Sequence, residues 1–266
     1  MSAQLQAPSD AVVLIEHLPG HVARLTLNRP SARNAINGEV AIALEAALQT
    51  LEQDESIRAV VLTGAGQEAF CSGADLKEVA AGRGKQLRTE RGGFAGFVYA
   101  PRRKPWIAAV NGPALAGGSE IALACDVIVA AAHATFGLPE VQRGLIAGAG
   151  GLYRLPRALP RHIALELMAT GDPLQATRAH QYGLVNHLVP AAELQETALA
   201  LAQRIARNAP LAVQESLTIA RQAHDLEEGT LRQLSAEGLA RVAASEDLRE
   251  GLQAFIEKRA PQWRGR

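Results

Sequence analysis

Residues 111–120 read NGPALAGGSE, and they sit between two apolar runs, WIAAV (106–110) and IALACDVIVAA (121–131). Two adjacent glycines and then a carboxylate interrupt a segment that otherwise reads as buried core. A buried carboxylate is costly unless it is paired, hydrogen-bonded or protonated. WIAAV and the DVIVAA (126–131) that ends the second run read as short buried strands, with a short helix between them. A small-residue turn leading from such a strand into a helix is the connection of an α/β fold.

The same pattern extends outward. Residues 12–18 (VVLIEHL) and 22–30 (VARLTLNRP) read as two strands, the second stopped by Asn28-Arg29-Pro30. Asn37 caps a helix expected over 38–53, with Val40, Leu44, Leu48 and Leu51 on one stripe. RAVVLTG (58–64) adds another buried strand. The alternation of strand, helix and strand predicts an α/β core with a mostly parallel sheet. Residues 76–104 are polar and glycine-containing, a long irregular stretch that reads as a functional loop or lid. Beyond about residue 160 the pattern turns helical: 162–171, 173–183, 192–208, 211–224 and a final pair of segments ending near Lys258. Gly171 and Gly183 fit helix C-caps, and strand-like LVNHLV (184–189) interrupts the series. The expected division is a core over 1–200 and a helical region over 201–266 that offers a surface for subunit packing.

Composition narrows the function classes. Lysine plus arginine equals aspartate plus glutamate at 27 each, so no excess charge is available for nucleic acid or an anionic membrane. The lysines are few (Lys77, Lys85, Lys104 and Lys258), which singles each of them out. Two cysteines, Cys71 and Cys125, make no disulfide framework and read as small buried hydrophobes. Residues 1–18 show no basic leader ahead of an apolar block, and no apolar run reaches a membrane-spanning length. The expectation is a soluble, cytoplasmic protein with no membrane partner.

Several chemistries fail on spacing. GGSEI (117–121) has Ile121 where a nucleophile elbow needs glycine, so Ser119 reads as a small helix residue. GAGQEA (64–69) and GAGGLY (148–153) miss the dinucleotide fingerprint at their last position, and no P-loop occurs. The seven histidines have no metal-ligand spacing, so no metal is expected.

Three glycine-marked turns remain: 70–77 (FCSGADLK), 114–120 (ALAGGSE) and 136–151 (FGLPEVQRGLIAGAGG). The opening amides of a helix lack internal partners and point outward. Two such turns facing each other would aim two N–H groups at one point, the geometry of an oxyanion hole. Glu120 and Glu140 fall just after two of these turns, 20 residues apart. A carboxylate pair beside an oxyanion hole suits proton transfer next to a carbonyl. The local pattern alone leaves a plainer reading open: Glu120 as a first-turn glutamate favoured by the helix dipole, Glu140 as an ordinary helix start after Pro139. Gly148, Gly150 and Gly151 equally fit simple turn glycines.

With these motifs in place the chain resembles the crotonase superfamily, the enoyl-CoA hydratase/isomerase family. FCSGADLKE (70–78), AAVNGPALAGGSEIALACDVIVA (108–130) and ATFGLPEVQRGLIAGAGGLYRLPR (134–157) carry the resemblance, which runs from RPSARNAIN (29–37) to AFIEKRAPQWRGR (254–266). It implies an α/β crotonase-like spiral of β-β-α turns with a C-terminal helical region, assembled as a homotrimer or as a hexamer of two trimers. It implies an oxyanion hole at the Ala74 and Gly117 amides, catalytic glutamates at Glu120 and Glu140, and a glycine seating the water at Gly148. Substrate contacts are expected from Ala74, Asp75, Leu76 and Lys77, with Lys77 and Lys258 as candidates for the phosphates of CoA. The implied substrate is an acyl-CoA, with no cofactor beyond the CoA of the substrate itself. The implied reaction is hydration of a 2-enoyl-CoA. An isomerase, a lyase like the carnitinyl-CoA dehydratase branch, and a catalytically silent acyl-CoA-binding relative are the alternatives. GGFAG (92–96) and the stretch 245–266 are similar to that dehydratase branch, which would make the acyl group polar or branched. Two departures from the family pattern stand out: Ala147 where many hydratases have proline, and Cys71-Ser72 where small pairs are common.

Overall fold

Each strand of the main sheet begins one turn of a spiral, and the next few residues return in a second layer before the helix. The computed structural model describes residues 10–266, so the reading of residues 1–9 as free of a leader lies outside it. The hairpin of β1 (Val13–Leu18) and β2 (Val22–Leu27) opens the chain, followed by α1 (Gly38–Gln53) and β3 (Ala59–Gly64). Then come α2 (Leu76–Ala80), a small hairpin of β4 (Arg88–Thr89) and β5 (Gly93–Phe94), and β6 (Trp106–Val110). The third turn is β7 (Ala114–Leu115) and α3 (Gly117–Leu123), and the fourth is β8 (Val127–Ala131) and β9 (Thr135–Gly137). A 3-10 turn at Pro139–Arg143, α4 (Gly151–Ala158), α5 (Arg161–Thr170), β10 (Leu174–Gln175), α6 (Ala176–Gln181) and β11 (His187–Val189) complete the spiral. Four helices follow: α7 (Leu194–Ala206), α8 (Pro210–Ala220), α9 (Glu228–Ala243) and α10 (Glu246–Glu257).

The main sheet runs β1-β2-β3-β6-β8-β11, antiparallel only between β1 and β2. The return layer is a ladder of short parallel pairings. Ile36 meets Ala74, Cys71 meets Ala114, and β7 meets β9. These rungs stack the three glycine-marked turns beside one another.

Period-2 alternation explains why the strands are apolar on both faces. Val60, Leu62, Ala108, Val110 and Ile128 point into the main core, under α1 and the return layer. Val61, Ile107, Ala109, Val129 and Ala131 point the other way, against Leu194, Ala198, Ala202 and Ala206 of α7. The i, i+4 spacing of three alanines lets α7 lie close on the sheet. That helix straddles residue 200 and packs on β3, β6 and β8.

Asn37 caps α1 as expected, its Oδ1 accepting from Val40 N at 2.9 Å. The far end is closed by Lys104, a lysine only 4% exposed, whose Nζ donates to Leu51 O at 2.5 Å and Asp54 O at 2.7 Å. A lysine on the last carbonyls of a helix answers both orphan acceptors and the helix dipole.

Two expectations change. The stretch 76–104 is not a free loop: Leu87, Phe94, Phe97 and Val98 are buried in the main core around the β4–β5 hairpin. The helix expected over 173–183 begins only at Ala176, because Leu174 and Gln175 pair with Phe136 and Thr135 as β10. Among the described residues no helix is long and apolar enough to cross a membrane.

Candidate active site

The first and second glycine turns touch. Gly73 has φ +92°, and a Cβ there would lie 2.8 Å from Ala116 Cβ and 3.0 Å from Gly117 N. One turn downstream, a Cβ on Gly118 would fall 2.0 Å from Cys71 O. Small residues at these positions are therefore a packing requirement. Ala116 holds φ +51°, a conformation that L side chains rarely adopt, and it directs the chain into α3. Strain of this kind costs on the order of 1–3 kcal/mol and persists only where the surroundings impose it. Here the ladder imposes it: Ala116 N donates to Gly137 O at 2.9 Å, and Ser119 bridges Ala114 O (2.6 Å) and Gly137 N (2.9 Å). Ser119 is thus a staple between β7 and β9.

The contact between the turns brings Gly73, the residue before Ala74, against the Gly117 amide. Hydrogen bonds of the ladder use Gly73 O and Asp75 N on either side of Ala74, leaving its amide out. Gly117 N is the first amide of α3 and has no acceptor within the helix. The Phe94 ring covers Gly117, where a Cβ would meet Phe94 Cε1 at 2.3 Å.

Glu120 lies one turn into α3 and is 3% exposed. Its Oε1 accepts from Ala149 N at 2.7 Å and Gly151 N at 2.9 Å. Burial pushes its carboxyl up, opposed by those two amides and by the charges of Arg88 and Arg154. Gly151 must be small for this contact, because a Cβ there would sit 3.1 Å from Glu120 Oε1. Glu140, in the 3-10 turn, has a buried Oε2 with no hydrogen-bond partner. Burial first, and then the charge of Glu120, raise it to about 7. The two carboxyls therefore share one electrostatic environment, with different duties available to each.

Residues that the sequence did not flag hold the third turn in place. Tyr99 Oη donates to Gly148 O at 3.3 Å, and Arg154 donates to Ala149 O at 3.3 Å and Val98 O at 2.7 Å. The guanidinium of Arg154 stands 5.6 Å from the Tyr99 ring and 5.5 Å from the Tyr153 ring. Ala147, standing where many family members have proline, is buried, and its Cβ would touch a side chain at Gly151.

The remaining expected contacts separate. Asp75 is taken up in structure: it pairs with Arg29 at 3.1 Å and caps α2 through Lys77 N at 3.2 Å. Leu76 and Lys77 are exposed beside the first turn. Lys258 is the left-handed C-cap of α10, which packs against α9, and no hydrogen bond or ion pair ties it to the two turns. Cys71 and Cys125 are free thiols, each pushed up to about 12 by burial and so unsuited to nucleophilic work. Among the described residues no cluster of His, Cys, Asp or Glu is arranged to hold a metal ion.

A model of the enoyl-CoA hydratase/isomerase family matches residues 18–266. The carnitinyl-CoA dehydratase of Proteus mirabilis is 41% identical over 252 residues, covering 93% of this chain and 96% of that protein. Among solved structures, an enoyl-CoA hydratase from Mycobacterium tuberculosis superimposes with a TM-score of 0.92 at 44% identity, covering 97% of this chain and 100% of the other. A carnitinyl-CoA hydratase from Mycobacterium avium has a TM-score of 0.75 at 47% identity, covering 96% and 99%. The spiral fold, the touching turns and these matches agree: the chain belongs to the enoyl-CoA hydratase/isomerase family and has its crotonase fold.

Proposed function

We propose that this site adds water reversibly across the C2–C3 double bond of a 2-enoyl-CoA. The observation that carries this reading is that the charge of Glu120 raises the Glu140 carboxyl, while Glu120 belongs to the helix that opens at the Gly117 amide. In this mechanism Ala74 N–H and Gly117 N–H hold the thioester oxygen as negative charge grows on it. Glu120, oriented by the Ala149 and Gly151 amides, takes a proton from water as the oxygen attacks C3. The electron pair of the double bond moves onto the enolate. Glu140, raised to about 7, then delivers a proton to C2. Water is thus added as a proton and a hydroxyl, with no redox change and no cofactor beyond the substrate's own CoA. Gly148 shapes the turn next to the water, and Leu76 and Lys77 are exposed beside the first turn, where a lysine suits a CoA phosphate.

The presence of two carboxylates favours hydration over isomerisation, which needs a single group to move a proton between C2 and C4. The test is decay of the conjugated enoyl-thioester absorbance when crotonyl-CoA is mixed with the protein. Glu120→Gln and Glu140→Gln should each slow it by roughly 10²–10⁴. Undiminished hydration by either variant would remove that residue from the mechanism, and no hydration by the unmodified protein would favour a silent acyl-CoA binder.

We also propose a homotrimer or a hexamer of two trimers. On α9 and α10, Leu239, Leu252, Phe255 and Ile256 are 70%, 58%, 84% and 73% exposed, which supports burial of this face against further copies. Sedimentation of Phe255→Glu as a monomer beside an oligomeric parent would support that assembly, and a monomeric parent would refute it.

A further inference from the structure

The β4–β5 hairpin places one exposed basic side chain, Arg88, beside the third glycine turn. Arg88 and Phe94 are direct partners across the hairpin, so their side chains share a face. On that face Phe94 rests on Gly117. Arg88 reaches the other side of the site, its Nη2 3.9 Å from where a Cβ on Gly148 would be. Its charge acts on Glu120. Among the described residues no carboxylate or carbonyl pairs with the Arg88 guanidinium. The neighbouring aromatic faces are engaged in a different way. Arg154 stands over both Tyr99 and Tyr153, and Arg157 is 5.7 Å from the Tyr153 ring. Ring faces of this kind hold quaternary ammonium groups elsewhere, but here the chain's own guanidiniums occupy them.

Resting on the hydratase reading, we infer that Arg88 is a specificity residue and that the acyl group taken by this site carries an anionic, carboxylate-bearing tail. A guanidinium presents a planar fork of donors that matches a carboxylate in a bidentate way. The same charge repels a trimethylammonium tail, the group that distinguishes carnitinyl-CoA. Glu120 opposes the tail, but the charge of Arg154 beside it, together with that of Arg88, offsets this. The site therefore differs in its preferred tail from relatives named for carnitinyl-CoA, although the fold and the carboxylate pair are shared.

Three 2-enoyl thioesters that differ only in the group on C4 test this: carboxylate, ethyl and trimethylammonium. The kcat/KM ratio of the carboxylate to the ethyl compound should be about tenfold or more, the range of a hydrogen-bonded charge, and the trimethylammonium compound should be the poorest. Arg88→Gln should bring the ratio towards one, Arg88→Lys should keep part of it, and Arg88→Glu should invert the order towards the cation. Calorimetric Kd values for glutaryl-CoA and hexanoyl-CoA should show the same preference and the same collapse without any turnover. A ratio near one in the unmodified protein, or one unchanged in Arg88→Gln, overturns the inference and leaves the hydratase reading standing. A Kd preference that depends on Arg88, with none of the three thioesters hydrated, supports the assignment of the tail and overturns hydration instead.

Discussion

The Glu120 carboxylate and the Gly151 amide meet at 2.9 Å, so that α4 begins on a side chain of α3. The contact orients the carboxylate without neutralising it. Gly151→Ala would place a methyl group 3.1 Å from Glu120 Oε1 and 3.0 Å from Leu138 Cδ1, so one of them must yield. We expect kcat with crotonyl-CoA to fall by about tenfold, since displacements well under 1 Å already misplace a catalytic group, while circular dichroism remains that of the parent. An unchanged kcat would mean that the amide contact does not position Glu120.

Glu140 gives the reaction and the fold the same pH preference, since both favour its protonated form. With its carboxyl raised to about 7 in the folded protein from an ordinary 4.5, the folded state binds more protons than the unfolded one between these values. Its contribution to stability is therefore present below about 4.5 and is lost as pH rises through about 7. Glu140→Gln removes that loss. Melting temperatures of the two proteins should coincide near pH 4 and diverge by pH 8, with the glutamine variant the more stable and the less active. In the parent, kcat should decline above about 7 as the proton donor ionises. Parallel melting curves at both pH values would place the perturbed titration elsewhere.

Lys104 offers a change confined to the scaffold. Its Nζ serves two carbonyls at the end of α1, far along the chain from either glutamate. Lys104→Met keeps the buried stem but leaves Leu51 O and Asp54 O without that donor. Loss of charged hydrogen bonds in a buried setting costs ~2 kcal/mol, which denaturant unfolding would read as a lower midpoint. kcat/KM should stay within about twofold of the parent at a temperature where both are folded. A large loss of activity would show that α1 influences the site.

The strands and α1 were legible because period-2 and period-3.6 patterns report burial directly: Val60 and Leu62 face one core while Ala59 and Val61 face the other. The glutamates were legible only through their turns, since local pattern left Glu120 and Glu140 equally readable as helix starts. What escaped was set by contacts between distant segments. Tyr99, 49 residues from Gly148 in sequence, joins Arg154 in securing the Gly148–Ala149 backbone, and nothing near Tyr99 signals it. The hairpin at 88–94 escaped for another reason. Its buried residues, Leu87, Phe94 and Phe97, are spaced by glycines and charges that erase any period, although Gly93 and Gly96, both at positive φ, mark its turns in retrospect. Asp75 shows the reverse case, a residue of the recognisable first motif whose side chain serves Arg29 and the start of α2.

Phe94 and Gly117 supply the last test, because one contact combines packing with chemistry. Gly117→Ala would drive a methyl group to 2.3 Å from Phe94 Cε1, which the buried ring must vacate. It would also narrow the approach of a thioester oxygen to the Gly117 amide. The packing loss should be relieved by removing the ring, whereas the narrowed approach should not. We therefore expect Gly117→Ala to lower both the unfolding midpoint and kcat, the latter by roughly 10²–10³, the range for a lost oxyanion donor. In the Gly117→Ala/Phe94→Ala double variant, coupling between neighbours should return part of the stability relative to the sum of the single changes. Its kcat should remain as low as that of Gly117→Ala. Recovery of kcat along with stability would show that Gly117 matters only for seating Phe94, and the oxyanion role would pass from that amide.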